Sequence, residues 1–372
     1  MMYRRRVLGL CAALAVAGCL GEQDGSDDLD RATDGGVRHL FGESLDLDGI
    51  NVAVGGDGSV IAVGGVLGSV TNYDAAGDVA TYDTGRFWNE VGCDRTGKHV
   101  LSAWFADDVV GVVSAAADPI WERSVPDLNV AGGSDDLRFV AAGMRPETGP
   151  GGVALFEDGT ERWRVDLGDA TVAALAVGVD GVVAVGSERY ETDSGNEGSN
   201  GVRLLGADGD VLWAREMDRA VEHISYAGDV VVARLDGGVA VAFDRDGTSL
   251  WDDLPVTGDV AVSGDGSTVV ATVPGRVRAL TPDGTVLWEY VEADFRGTAL
   301  AVDRTGDRAL VSGAADGESH LRVLDRGETV WSSPFRGLPS LDLADDGRTW
   351  AVALDQAGGT ESSLDVFWES AE

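Results

Sequence analysis

Side chains that could do chemistry are few in this 372-residue chain, and they are scattered. The four histidines, His39, His99, His223 and His320, stand alone, without the close spacing that brings imidazoles onto one metal ion. No Gly-x-Ser-x-Gly elbow, no phosphate-cradling Gly-Lys-Ser/Thr and no Cys-x-x-Cys pair occurs. Asp244-x-Asp246-Gly247 looks superficially like a calcium loop. Its glycine falls too early, however, and no glutamate follows at the required place. Because Asp-Gly recurs along the chain at equivalent points, a tight turn is the expected role. The ten tryptophans could stack on sugar rings, but five of them belong to a repeated motif where packing is the better use. No catalytic, cofactor-binding or metal-binding residue is assigned.

One thiol has a clearer chemistry. Arg4-Arg5-Arg6-Val7-Leu8 resembles a twin-arginine export signal, with Arg4 and Arg5 as its pair. The apolar run at 8–17 is too short to span a bilayer. Val16-Ala17-Gly18-Cys19 closes that run and resembles a lipobox, in which Cys19 is cut and lipidated. The expected organisation is a lipoprotein signal peptide at 1–18, an acidic flexible tether at 19–36 and a folded domain at 37–372. That places the domain on the extracellular face of the cytoplasmic membrane, held by lipid alone. Cys11 leaves with the signal, so Cys93 is the domain's single thiol. No internal disulfide can form there, and a buried inert thiol is expected.

Charge narrows the setting. The 45 Asp and 19 Glu face 27 Arg and the lone Lys98, for a net charge of −36. This field repels a phosphate backbone and excludes DNA or RNA as the main partner. In dilute buffer it also destabilises the compact state, whereas at molar salt the Debye length falls to about 3 Å. Scarce Lys with abundant Asp resembles haloarchaeal proteins, and a high-salt setting is expected. At 44% apolar residues the chain has ample material for a core.

The elements that must position any site are repeats. Phe156-Glu-Asp-Gly-Thr-Glu-Arg-Trp163, Gly206-Ala-Asp-Gly-Asp-Val-Leu-Trp213, Phe243-Asp-Arg-Asp-Gly-Thr-Ser-Leu-Trp251 and Thr281-Pro-Asp-Gly-Thr-Val-Leu-Trp288 share Asp-Gly with Trp four residues later. Leu324-Asp-Arg-Gly-Glu-Thr-Val-Trp331 keeps the spacing, and Trp121 and Tyr82 mark degraded copies. Between these markers lie short runs of Val, Ala and Leu punctuated by Asp-Gly, with no useful amphipathic helix. Four short strands per roughly 40 residues is the unit of a β-propeller blade. Second strands are expected at 60–65, 100–105, 138–143, 182–187, 230–235, 268–273, 308–313 and 349–354. The expected fold is therefore all-β, a propeller of eight four-stranded blades. A seven-bladed ring with one unit misread is the alternative. The last unit has only three strands, so the run at 37–45 is expected to pair outside them and close the ring.

These repeats resemble those of quinoprotein-type propellers. That is the fold of pyrroloquinoline-quinone (PQQ) dehydrogenases and of the lipoprotein subunit of the bacterial outer-membrane β-barrel assembly machine. The family's tryptophan-docking repeat ends in Gly-x-x-x-Trp. Gly159/Trp163, Gly209/Trp213, Gly247/Trp251, Gly284/Trp288 and Gly327/Trp331 match that ending, while its earlier aspartate is absent, as Leu155 and Leu280 show. The resemblance covers nearly all of 37–372 and implies fold more than activity. The dehydrogenases carry adjacent cysteines near the quinone, and this chain has none, so neither PQQ nor another cofactor is expected.

Irregular loops carry the functional expectation. The second-to-third-strand loops at 144–151, 188–200 and 355–363 are enlarged and should share one face of the ring. The longest offers Glu188, Arg189, Tyr190, Glu191, Asp193 and Glu197 as a candidate binding loop. Two readings follow. One is a monomeric, non-catalytic binding or scaffolding module for a protein or envelope component. The other is an enzyme, a quinone- or metal-dependent oxidoreductase or a glycan-active hydrolase, working in the central channel.

Overall fold

Val230–Leu235 shows why these segments become strands. Four of its six residues are β-branched or Leu, and all six are buried. Ser249–Pro255, the outermost strand of the same blade, is largely exposed. Inner strands read as continuous apolar runs because both faces of a blade pack on neighbouring blades. The computed structural model describes residues 37–45, 51–65, 69–74, 76–86, 89–146, 150–168, 170–192, 195–355 and 362–370, and among these no helix occurs. Residues 1–36, with Arg4, Arg5 and Cys19, lie outside the described part.

The strands form eight four-stranded antiparallel sheets and one small two-stranded sheet. The innermost strands of blades 1 to 8 are Asn51–Val54, Asn89–Cys93, Leu128–Gly133, Thr171–Val177, Val221–Ala227, Val260–Val262, Arg296–Val302 and Leu338–Leu343. All eight second strands begin and end within two residues of the positions expected from sequence. One apolar cluster fills each seam between successive blades, including the seam from blade 8 back to blade 1.

Closure follows the expected route. Val37–Leu45 runs antiparallel to Ser362–Glu369, with Val37 opposite Glu369 and Leu45 opposite Ser362. It is the outer strand of blade 8. Beneath it Phe367 packs on Trp331 and Trp350 at centroid distances of 4.8 and 5.8 Å. Arg308 of blade 7 bonds Asp325 of its own blade and Glu369 of blade 8, pinning the seam from the side.

The repeated Gly and Trp have a joint explanation. Trp213 Nε1 donates to the Arg245 carbonyl at 2.9 Å, in the outer turn of the next blade. Two residues on, Gly247 adopts φ 77° and lies flat on that indole; a Cβ would stand 2.6 Å from Trp213 Cγ. Trp163 with Gly209, and Trp251 with Gly284, repeat the arrangement. The last two repeats depart from it. Trp288 donates instead to the Gly306 carbonyl, and Gly327 approaches the backbone of Glu289. Trp213, Trp288 and Trp331 are buried, but Trp163 and Trp251 are only half-buried.

Candidate functional site

Two faces differ in construction. First-to-second and third-to-fourth turns lie on one face, which we term the turn face. Second-to-third loops and blade connections lie on the other, the loop face. On the loop face, the stretch after Glu188 folds into a hairpin of its own, Tyr190–Thr192 paired with Gly195–Glu197. Its base is fixed by a bond from the Arg189 N–H to Asn200 Oδ1 at 3.1 Å. Thr171 Oγ1 donates to the Glu188 carbonyl from the inner strand. Glu188 also pairs with Arg145 of the neighbouring enlarged loop at 2.7 Å, joining blades 3 and 4. The side chains of Tyr190, Glu191, Asp193 and Glu197 are outside the described part, as are residues 147–149 and 356–361. The loop at 355–363 belongs to blade 8, four blades from blade 4 around the ring. The described ends of that loop, Asp355 and Ser362, therefore stand on the same face but across the channel from blades 3 and 4.

The remaining candidates are dispersed. His39 of the closing strand bonds Asp365 at 2.8 Å, and His99 bonds Asp94 at 2.8 Å. His320 approaches Glu318 at 3.5 Å, and burial lowers the pKa of His223. Among the described residues no group of His, Cys, Asp and Glu has the arrangement of a metal site. Asp244 Oδ1 accepts the N–H groups of Asp246 and Thr248 at 3.0 and 2.7 Å, so this carboxylate builds its own turn. Cys93 faces the Ala53 carbonyl at 3.5 Å from the inner strand of blade 2, and burial pushes its thiol well above the ordinary range.

The channel wall contains polar side chains that sequence reasoning passed over. The Val52 N–H donates to Ser340 Oγ and the Val54 N–H to Asp342 Oδ2, at 3.1 and 2.7 Å. Asn51 in turn accepts the Val91 N–H at 2.9 Å. These bonds stitch the inner strands of blades 8, 1 and 2 across the closure. Burial pushes Asp342 up to about 6, against the two backbone N–H bonds that favour its charge. At the turn-face mouth, Arg95 reaches from blade 2 to Asp345 of blade 8, Nε to Oδ2 at 2.6 Å. Blade 1 lets it pass because its turn carries glycine; a Cβ on Gly56 would come within 2.9 Å of Arg95 Cγ. A carboxylate within an inner strand, Leu338–Leu343, was the available signal for Asp342. Nothing local marks Arg95 or Arg145.

Taken together, these groups hold strands and turns in place, and the loop face is the irregular part of the scaffold. The architecture defines an eight-bladed β-propeller closed through its N-terminal strand. A family model described as outer membrane protein assembly factor BamB matches residues 149–315 and again 236–364, and the chain belongs to this family of PQQ-like propellers. Among solved structures it is similar to BamB from Moraxella catarrhalis, with 14% identity over 89% of this chain and 99% of that one, TM-score 0.59. The computationally designed Ika8 protein is 17% identical over 88% of this chain and 98% of its own, TM-score 0.64. The Cps50 (Swd1) β-propeller domain of Myceliophteria thermophila is 12% identical over 90% and 100%, TM-score 0.55. At these identities the likeness is one of fold. No curated protein matches the chain.

Proposed function

We propose that this chain is a non-catalytic binding or scaffolding module, tethered by lipid at Cys19 outside the cytoplasmic membrane in a high-salt setting. Its partner is a protein or envelope component met by the loop face. The observation that carries this reading is the build-up on adjacent blades 3 and 4: an added hairpin, an enlarged loop, and the Arg145–Glu188 pair between them. Loops raised on a rigid scaffold are where binding usually resides. The family's description as an assembly factor supports a protein partner. The closing strand supports the orientation. Val37 enters the ring opposite Glu369, at the turn-face end of blade 8, so a tether from Cys19 joins away from the enlarged loops.

Two experiments test the two halves separately. Cys19→Ser should release the protein from membranes or leave it unprocessed; unchanged fractionation would remove the anchor. Replacing residues 188–200 by an Asp-Gly turn should leave folding intact and abolish the captures that the full chain makes from cross-linked membranes. Retention of every capture by the folded, trimmed chain would overturn the loop-face reading.

A further inference from the structure

Blades 3 and 4 also meet on the turn face. A groove of about 960 Å³ opens between them, with Trp163, Val182 and Leu212 in its lining. Three exposed apolar side chains of blade 4 lie at this end: Val179, Val211 and Leu212 are 60%, 53% and 50% exposed. The indole of Trp163 is half-buried here, whereas Trp213 at the next seam is buried. The cations of the rim are already engaged. Arg162 pairs with Glu157 at 2.9 Å and Arg245 with Asp180, while the lining Glu161 is itself held by Arg164 at 2.9 Å. Asp208 and Asp210 are exposed, and no cation among the described residues comes within ion-pair distance of either. The charge left open beside the apolar floor is therefore negative. Val211–Met217 is also the outer strand of its blade, hydrogen-bonded on one side only.

We propose that this groove docks an extended segment of a partner protein that sets a bulky apolar side chain on Trp163 and Leu212 and an arginine or lysine against Asp208 and Asp210. A second copy of this chain is a poor occupant, because it would bring another acidic surface to an acidic rim. At high salt the apolar contact supplies the affinity and the acids supply the selectivity. The site is independent of the loop face, so the propeller would hold two partners at opposite ends of the same two blades.

The test uses fluorescein-labelled nonapeptides with a central Leu or Phe, flanked by Arg or by Glu, and fluorescence anisotropy in salt that keeps the protein folded. Arg-flanked peptides should bind about tenfold more tightly than Glu-flanked ones, and Leu212→Glu should weaken them by about tenfold. Exchanging both acids, Asp208→Arg with Asp210→Arg, should invert the preference; Asp208 also accepts the Asp210 N–H at 3.3 Å within its turn, so circular dichroism of the variant checks that the ring is folded. Trimming residues 188–200 should change nothing here, which separates this site from the loop-face partner. Equal affinity for both peptide series, no binding at about 1 mM, or an unchanged affinity in folded Leu212→Glu would overturn the proposal. So would a concentration-dependent dimer that Leu212→Glu abolishes, since that would give the groove to a second copy.

Discussion

Asp342 binds two backbone N–H groups, from Val54 and Leu343, yet its burial works against its charge. The folded state holds the proton up to about pH 6, whereas the unfolded chain releases it near the ordinary carboxylate value. Stability should therefore fall as pH rises from about 4 to above 6, by about 2 kcal/mol once channel water is allowed for. Asp342→Asn keeps one acceptor and removes the charge. Its denaturation midpoint should fall less steeply than wild type across that window in molar salt, where general repulsion is screened. Identical pH profiles for the two proteins would show that Asp342 is not the group responsible. Trp288 tests the seams: it is buried, and its indole N–H is bonded to Gly306. Trp288→Ala should cost about 3–5 kcal/mol in denaturant unfolding.

Elements differ in how much the ring depends on them. The closing strand Val37–Leu45 completes blade 8 and covers the edge of Ser362–Glu369. Its deletion should expose that edge, lower the melting temperature sharply and promote aggregation. An unchanged melting temperature would mean that the ring closes without it. The Tyr190–Glu197 hairpin is a sheet of its own, outside the four strands of blade 4. Its removal should leave the melting temperature nearly unchanged, because loop length enters closure entropy only logarithmically. The enlarged loops were legible from spacing alone, since added residues between two recognisable strands have nowhere else to go. That the 188–200 loop would pair with itself was not legible, because its polar sequence carries no alternation to predict a strand.

For the whole molecule, a charge of −36 sets the conditions in which the ring is stable. Circular dichroism should show a folded ring in molar salt and loss of the β signal on dialysis to about 0.1 M, where the Debye length is about 10 Å. Persistent structure there would contradict the high-salt reading. Strand positions, eight blades and the closing strand were all determined by the sequence, because Asp-Gly turns and short Val-rich runs act within a few residues of themselves. The Gly-x-x-x-Trp repeat likewise reported a seam before its geometry was known. What only the tertiary structure decided depends on partners far apart in the chain. Arg95 crosses blade 1 to reach Asp345, made possible by a glycine in a third turn. Arg145 meets Glu188 because two separately enlarged loops stand side by side. Trp163 and Trp213 occupy the same repeat position, yet one lines an open groove and the other is covered. That difference comes from the side chains each seam receives from its neighbours, a property of the assembled ring that no local pattern encodes.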